Sequence, residues 1–178
     1  VNSNGEITNW SHETFSDTFL TRPVIGEDPG SRLLSTHYQK ESKPWPVTPP
    51  MLTVHGGIHR NIEPIYNFPS PRLVKHRVYD LPLRTSALRA LGAFGNIFAI
   101  ESMMDELAEA LKLDPFHFRL KHLNDEQGIQ TLIRLKALVD KDRVNFPQEA
   151  GLGISFARYK NSAGYCSLAV LLRVNDHA

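Results

Sequence analysis

Residues 83–96 read LRTSALRALGAFGN, and residues 114–124 read DPFHFRLKHLN. Between these two stretches, apolar residues recur every three or four positions, which is the spacing of one face of a helix. They are Ile97, Ile100, Met104, Leu107, Ala108 and Leu111. Asn96 is a candidate N-cap for this helix, and Asp114 followed by Pro115 is typical of the start of a second helix. The centre of the chain is therefore predicted to be helical.

On either side of this centre, the pattern changes to the alternation that is typical of strands. The segments with strand character are Ile7–Ser11, Leu73–Tyr79, Ile154–Tyr159 and Tyr165–Val174. A third helix is predicted at about 130–139, so the helical middle extends from about residue 96 to 139. We therefore expect an α+β chain in which mixed strands flank a central helical segment.

Composition divides the chain into three parts. Residues 1–21 contain the first strand, residues 22–57 are rich in proline and glycine, and residues 58–178 carry the helices and most of the strands. The third part holds a loop at 84–96, helices at about 96–139 and a C-terminal hairpin at 151–174. We expect this third part to contain the candidate site.

The second part, residues 22–57, shows no apolar period and includes KPWPVTPP at positions 43–50. Such a composition predicts turns and irregular structure. A structureless stretch of this length is uncommon inside a compact domain. We therefore expect a connector that exposes Trp45, Met51 and Leu52.

The composition and net charge of the chain exclude some classes of function. The chain has 178 residues, of which 41% are hydrophobic, and its 20 basic and 19 acidic side chains give a net charge of +1, so no broad field favours a nucleic acid. Neither a membrane-spanning run nor a signal peptide is visible, and the localisation, cytoplasmic or periplasmic, stays open. The start at Val1 fits an excised piece or a processed product. The single cysteine, Cys166, excludes an internal disulfide and a cysteine-ligated cluster within this chain.

The loop at 84–96 is the best candidate for a ligand site. It is punctuated by glycine, carries Arg84 and Arg89, and directly precedes a predicted helix start, where backbone N–H groups are free to bind an anion. A fixed guanidinium there can orient a polarised substrate or stabilise developing negative charge. The alternative is that Arg89 pairs with a carboxylate or caps a neighbouring helix.

Other notable side chains are assigned structural roles. Cys166 lies in an apolar strand and is expected in the core. Glu101 and Asp105 lie four residues apart on the polar face of the helix, where solvent or surface ion pairs are the default. The eight histidines show no metal-ligand spacing. Four apolar side chains could line a hydrophobic tunnel, but ordinary core packing is the expected role for them. They are Phe94, Phe98, Met103 and Met104.

The stretch at 83–124, and with it almost the whole span from Gly5 to Val174, resembles the molybdopterin-binding large subunit of the xanthine dehydrogenase and aldehyde oxidase family. The resemblance is to bacterial members such as nicotinate dehydrogenase and isoquinoline oxidoreductase. In that family the cofactor is held by several separated loops, and ALRALGA at 87–93 resembles one of them. The chain thus resembles a part of a larger molybdopterin-binding domain.

The resemblance implies roles for four residues of this loop. The backbone of Ala87, Leu88 and Arg89 is implied to bind the cofactor. Leu91 is implied to border the substrate pocket, at a position where many relatives have a phenylalanine that stacks on the substrate. A leucine there weakens the case for a flat aromatic substrate.

The resemblance also implies what lies outside this chain. The family's catalytic glutamate in a Gly-Glu turn and its Gly-Gly-x-Phe-Gly-Gly loops do not occur in the sequence, so we expect a middle fragment with no catalytic residue and no direct metal ligand of its own. In the complete subunit, the implied cofactor is molybdopterin in its cytosine dinucleotide form. The implied partners are the remainder of the large subunit, a [2Fe–2S] small subunit and a cytochrome subunit. The implied reaction is hydroxylation of an aldehyde or an N-heterocycle carbon.

Two functions of different classes follow. The first is a fragment of a molybdenum hydroxylase that contributes one cofactor loop, and that is expected to be inactive and cofactor-free in isolation. The second is a non-catalytic scaffold or interaction module derived from that family. In the second case, residues 43–50 are free to dock a partner as a polyproline II segment.

Overall fold

The computed structural model describes residues 1–18, 28–42, 50–79, 81–83 and 85–174. Within these ranges there are four strands and three α-helices: β1 at Trp10–Ser16, β2 at Pro71–Arg77, α1 at Ala93–Ala110, α2 at Pro115–Lys121, α3 at Glu126–Asp142, β3 at Gly151–Arg158 and β4 at Tyr165–Leu172. Strands thus flank a helical middle, which confirms the predicted α+β class. Arg84 and Trp45 lie outside the described residues, as do positions 43–49 of the proline-rich segment.

The strands form two separate two-stranded sheets. β1 pairs with β2 in parallel, in register from Trp10 opposite Pro71 to Ser16 opposite Arg77. β3 and β4 form the predicted C-terminal hairpin. The first strand begins at Trp10 instead of Ile7, because a partner strand has to supply hydrogen bonds and β2 reaches only as far as Trp10.

The helices have the predicted order with shifted ends. α1 begins at Ala93, three residues before Asn96, so the prediction of Asn96 as the N-cap is wrong. α2 begins as predicted, with the Asp114 carboxylate accepting a hydrogen bond of 2.8 Å from the His117 N–H. α3 is longer than predicted because Asp125 caps it, accepting from the Gly128 N–H at 3.1 Å.

In the connector, the described residues 28–42 form two short 3₁₀ turns, Pro29–Arg32 and Leu34–Tyr38. Leu52 is 82% exposed, as predicted. Met51 is half-buried instead of exposed, because it packs beside the backbone of Gly56.

A buried arginine joins three elements of the fold. The Arg119 side chain on α2 is 0% exposed, and its Nε donates to Glu101 Oε2 at 2.9 Å. One terminal nitrogen donates to Asp105 at 2.7 Å and to the Pro115 carbonyl at 3.2 Å. The other donates to the carbonyls of Glu101 at 3.1 Å and Ile154 at 2.9 Å. All five guanidinium N–H groups therefore have acceptors, on α1, α2 and β3.

The prediction that Glu101 lies in solvent is wrong. Glu101 is 4% exposed, and its carboxylate also accepts from Tyr66 Oη and from the Phe156 N–H, each at 2.8 Å. Burial raises the pKa of Glu101, while the Arg119 charge and these hydrogen bonds act in the opposite direction. Asp105 is part of the same network, although its side chain is 37% exposed. A buried arginine on the neighbouring helix draws both carboxylates inward.

Removing the guanidinium tests this network. Arg119→Met keeps the side-chain length but leaves the Glu101 carboxylate buried without its counter-charge, so the free energy of unfolding should fall by about 3–5 kcal/mol. Urea unfolding of the chain measures this change. Lys136→Met is the matched control, because Lys136 pairs with Asp140 on the surface of α3 and should contribute less than about 1 kcal/mol. Equal losses in the two variants would contradict the assignment.

His122 connects the N-terminal segment to α2. Its Nε2 accepts a hydrogen bond of 3.1 Å from the buried Ile7 N–H, and its Nδ1 lies 2.8 Å from the Phe118 carbonyl. The ring is therefore neutral, with its proton on Nδ1. Burial lowers the pKa of His122, because a charged ring is poorly solvated there.

This lowered pKa predicts a stability that depends on pH. The folded state binds fewer protons than the unfolded state below the unfolded value of 6.5, so the free energy of unfolding should fall as the pH drops from about 7 to about 5. Urea midpoints at the two pH values measure the fall. His122→Gln should reduce it, whereas His117→Gln, at an exposed position on the same helix, should not. An undiminished fall in His122→Gln would be inconsistent with this role. Burial also lowers the pKa values of His12 and His59, which accounts for a residual slope.

Candidate functional site

The predicted ligand loop lies between β2 and α1. Leu88 and Arg89 are exposed, and Ala87 and Leu91 are half-buried. Ala90 and Leu91 have φ values of 73° and 53°, so two successive residues other than glycine occupy the left-handed region. Such a conformation costs energy in each residue and persists only where the surroundings enforce it. A strained loop of this kind is typical of a functional site.

The segment Gly57–Arg60, here termed the clamp turn, holds the end of this loop. The Gly92 N–H donates to the Gly57 carbonyl at 3.2 Å. A Cβ atom on Gly92 would lie 2.4 Å from the Ile58 carbonyl oxygen, so only glycine fits this close approach. The clamp turn thus sets the position at which the loop meets α1.

Asn96 makes the second attachment to the clamp turn. It is 3% exposed in the first turn of α1, and its side-chain amide donates to the carbonyls of Ile58 at 3.0 Å and Arg60 at 2.9 Å. The residue that the sequence suggested as a helix cap instead fastens the helix to the clamp turn. Its local pattern suits both roles, and only the long-range contact distinguishes them.

Asn61, the residue that directly follows the clamp turn, fixes it to the C-terminal hairpin. Asn61 is 0% exposed, and its amide donates to the Arg158 carbonyl and to Asn161 Oδ1, each at 2.9 Å. Asn61 Oδ1 accepts from the Lys160 N–H at 2.9 Å. The loop, the clamp turn and the hairpin therefore form a continuous hydrogen-bonded framework.

Most of the free backbone donors lie directly before the helix. The N–H groups of residues 91–94 donate to the carbonyls of Leu88, Gly57, Ala90 and Leu91 respectively, and the Asn96 N–H donates to the Gly92 carbonyl. In the first turn of α1, the Gly95 N–H alone has no acceptor among the described residues. By contrast, the five N–H groups from Ser86 to Ala90 donate to no described residue.

Arg89 extends outward from this same stretch. It forms no hydrogen bond or ion pair with any residue that the structure describes, so neither a carboxylate partner nor a helix cap is found for it there. Five consecutive N–H donors carry partial positive charge in the stretch 86–90, and the exposed Arg89 guanidinium adds a full one. This arrangement suits an anionic ligand.

Four other residues that were predicted to lie in the core are exposed in the structure. Cys166 is exposed instead of buried, because it occupies the outer face of β4. Phe94, Phe98 and Met103 are 80%, 72% and 43% exposed, so of the four residues assigned to core packing only Met104, at 0%, is buried. They lie outside the stripe of α1 that packs on the core, which includes Ile100, Met104 and Ala108.

Two kinds of feature are absent from the described part of the chain. No three side chains of His, Cys, Asp or Glu come together there as metal ligands. No helix within the described ranges has the length and apolar character needed to cross a membrane.

The close approach at Gly92 gives a test of the framework. Gly92→Ala should lower the free energy of unfolding by about 1–3 kcal/mol, because the new methyl group meets the Ile58 carbonyl. Gly95→Ala, one turn later on the exposed side of α1, has open space and should raise it by about 0.5–1 kcal/mol. Urea unfolding of both variants gives the comparison. A neutral Gly92→Ala would show that the loop is not held against the clamp turn.

The chain is similar to known proteins in this region. Residues 46–123 match a family model described as a molybdopterin cofactor-binding domain. The match begins within the predicted connector and ends just after α2, so it includes the clamp turn, the strained loop and Arg119. A nicotinate dehydrogenase subunit of Pseudomonas putida is 32% identical over 107 residues, which are 56% of this chain and 9% of that protein. The chain therefore spans a small part of this relative's length.

Two solved structures are also similar to this chain. Quinoline 2-oxidoreductase from Pseudomonas putida 86 aligns with 87% of this chain and 20% of its own, with a TM-score of 0.57 and 16% identity, which is a likeness in fold. The aldehyde oxidoreductase of Desulfovibrio gigas aligns with 56% of this chain and 13% of its own, with 26% identity and a TM-score of 0.47.

Proposed function

We propose that this chain is part of a molybdopterin-binding large subunit of the xanthine dehydrogenase and aldehyde oxidase family, and that it forms one wall of the cofactor site in a molybdenum hydroxylase. The observation that carries the proposal is the stretch 86–90, with five adjacent backbone N–H groups that have no described acceptor. Molybdopterin is anionic, and backbone donors beside a guanidinium fit such a group. The residues present therefore suit the cofactor.

We assign roles to four residues of the loop. The backbone of Ala87 and Leu88 donates hydrogen bonds to the cofactor, and Arg89 adds a positive charge that orients a polarised substrate or stabilises negative charge on it. Leu91 borders the substrate pocket. It offers apolar contact without aromatic stacking, which favours an aldehyde or a small substrate over an extended flat one.

The strain in the loop supports these roles. Ala90 and Leu91 hold the left-handed conformation because Gly92 and Asn96 are fastened to the clamp turn. A loop prepared in this way presents its donors without having to reorganise when the ligand binds. When bound, the molybdenum centre supplies the two-electron redox chemistry of hydroxylation, and this chain supplies binding and orientation.

We further propose the cofactor form and the partners. The resemblance to bacterial members supports the cytosine dinucleotide form. Electrons leave through a [2Fe–2S] subunit, and a cytochrome subunit is a further acceptor. The only cysteine of the chain, Cys166, is too few for a cysteine-ligated cluster, which supports an electron path through another polypeptide.

Replacing Arg89 in a complete subunit tests the proposal. Arg89→Ala removes a charge but no core contact, so the subunit should fold normally while its turnover of aldehydes or N-heterocycles falls by about tenfold to hundredfold. Dye-coupled turnover and molybdenum content per subunit are the measurements. Arg134→Ala, at an exposed position on α3, is the matched control and should leave both unchanged.

The isolated chain provides a second test of the same proposal. One loop of the several that hold the cofactor leaves the site open to water, where each charge-assisted contact is weak. The isolated chain should therefore purify without molybdenum and show no turnover, which plasma mass spectrometry and the dye assay record. Stoichiometric metal on the isolated chain, or an unaltered Arg89→Ala subunit, would overturn the corresponding part.

A further inference from the structure

A second candidate site lies beside the clamp turn. A partly open cavity of about 180 Å³ is lined by Met51, Gly57, His59 and the β2 residues Lys75 and Arg77, together with Tyr79. Its lining is mainly apolar, with cationic side chains from one strand. This combination is typical of a small-molecule pocket, in which a few polar groups orient an apolar ligand.

Lys75 gives the cavity its charge. The half-buried ammonium donates to the Met51 carbonyl at 2.7 Å and to His59 Nδ1 at 3.2 Å. An ammonium has three protons, so one remains for another acceptor. No carboxylate among the described residues pairs with it. A half-buried cation without a counter-charge favours a bound anion.

His59 does not compensate this charge. Because an ammonium only donates, His59 Nδ1 is the acceptor, and the ring proton resides on Nε2, 2.7 Å from the Thr53 carbonyl. Burial lowers the pKa of His59, and the charge of Lys75 lowers it further. The ring is therefore neutral and holds the ammonium in place.

Arg77 lines the same cavity, and an ion pair compensates its charge. Its Nε lies 3.3 Å from Asp17 Oδ1, and its guanidinium carbon lies 4.7 Å from the centre of the Tyr79 ring. The ion pair is neutral as a whole and keeps the aromatic ring against the cavity. Among the described residues that line the cavity, Lys75 is thus the cation without a paired carboxylate.

We propose that this cavity binds a small organic carboxylate, with its carboxylate on Lys75 and its apolar body against Met51, Ile58 and Tyr79. A single net positive charge matches a monoanion better than a phosphate dianion, which needs several donors. The apolar lining matches a hydrocarbon body better than a hydrated inorganic ion. This proposal uses residues outside the stretch 86–90 and stands independently of the cofactor proposal.

Titration of the ¹⁵N-labelled chain with benzoate tests the proposal by NMR. The amides of Met51, Ile58, His59 and Lys75 should shift with a Kd on the order of 1 mM. Benzamide has the same shape without the charge and should bind about tenfold more weakly. Inorganic phosphate is the alternative anion and should also bind more weakly.

Substitutions of Lys75 test whether its ammonium supplies the positive charge that binds benzoate. Lys75→Met should weaken benzoate binding by about tenfold, and Lys75→Arg should restore most of it. Lys136→Met is the matched control on the far surface of α3 and should bind like the wild type. The dispersion of the same spectra shows whether each variant is folded, and the comparison of benzoate with benzamide on the wild type needs no variant.

Several outcomes would overturn the proposal. Equal binding of benzamide and benzoate would show that the charge has no role. Tighter binding of phosphate would replace the carboxylate with an inorganic anion. Unchanged affinity in a folded Lys75→Met, or shifts confined to residues away from the cavity, would place the ligand elsewhere.

Discussion

The burial of the Arg119 guanidinium is the constraint on which the rest of the structure depends. A charged group without water is tolerated only if every donor has an acceptor and a counter-charge lies nearby. Here the acceptors come from α1, α2 and β3, so the guanidinium is satisfied only when all three elements are in place. A helix that slid by one residue would leave a buried donor or the Glu101 carboxylate unpaired. Apolar packing alone does not impose so strict a geometry.

The orientation of α1 then determines the position of the candidate site. Its middle is fixed to α2 by the bonds of Glu101 and Asp105 to Arg119, and its first turn is fixed to the clamp turn by Asn96 and Gly92. The loop before the helix is held at both ends, because Thr85 also donates to Asp17 at 3.2 Å. This support explains how Ala90 and Leu91 keep a strained conformation in an exposed loop. A rigid framework therefore carries a stretch of free donors.

The clamp turn also connects the two candidate sites. The Gly57 carbonyl accepts a hydrogen bond from the Gly92 N–H at the end of the strained loop. Gly57 also lines the cavity that contains Lys75. Both sites present positive charge from a chain whose net charge is only +1. Several acidic side chains are engaged away from these sites, as Glu101, Asp105 and Asp125 are in ion pairs of the helices and the hairpin. Local charge, and not net charge, decides what binds.

Local patterns predicted the elements well and the contacts between them poorly. The apolar spacing from Ile97 to Leu111 predicted α1, and Asp114 with Pro115 predicted α2, because helix faces and caps depend on residues a few positions apart. The loop at 87–91 was located by its glycine and arginine and by family resemblance. The roles of Asn96 and Cys166, by contrast, depend on what faces them across the fold. The four-residue spacing of Glu101 and Asp105 is the same on a solvated face as on a buried one.

By itself the sequence determined the α+β class, the order of the helices, the C-terminal hairpin and the position of the candidate loop. Each of these depends on residues that are close together along the chain. Tertiary structure alone decided that Glu101 and Arg119 are buried together, that Gly92 meets the Ile58 carbonyl, and that Lys75 lines a cavity where no described carboxylate pairs with it. Contacts of this kind join residues that are 16 to 55 positions apart in the chain and that only the fold brings together. Their energies come from desolvation and close packing, which no local pattern of residues encodes.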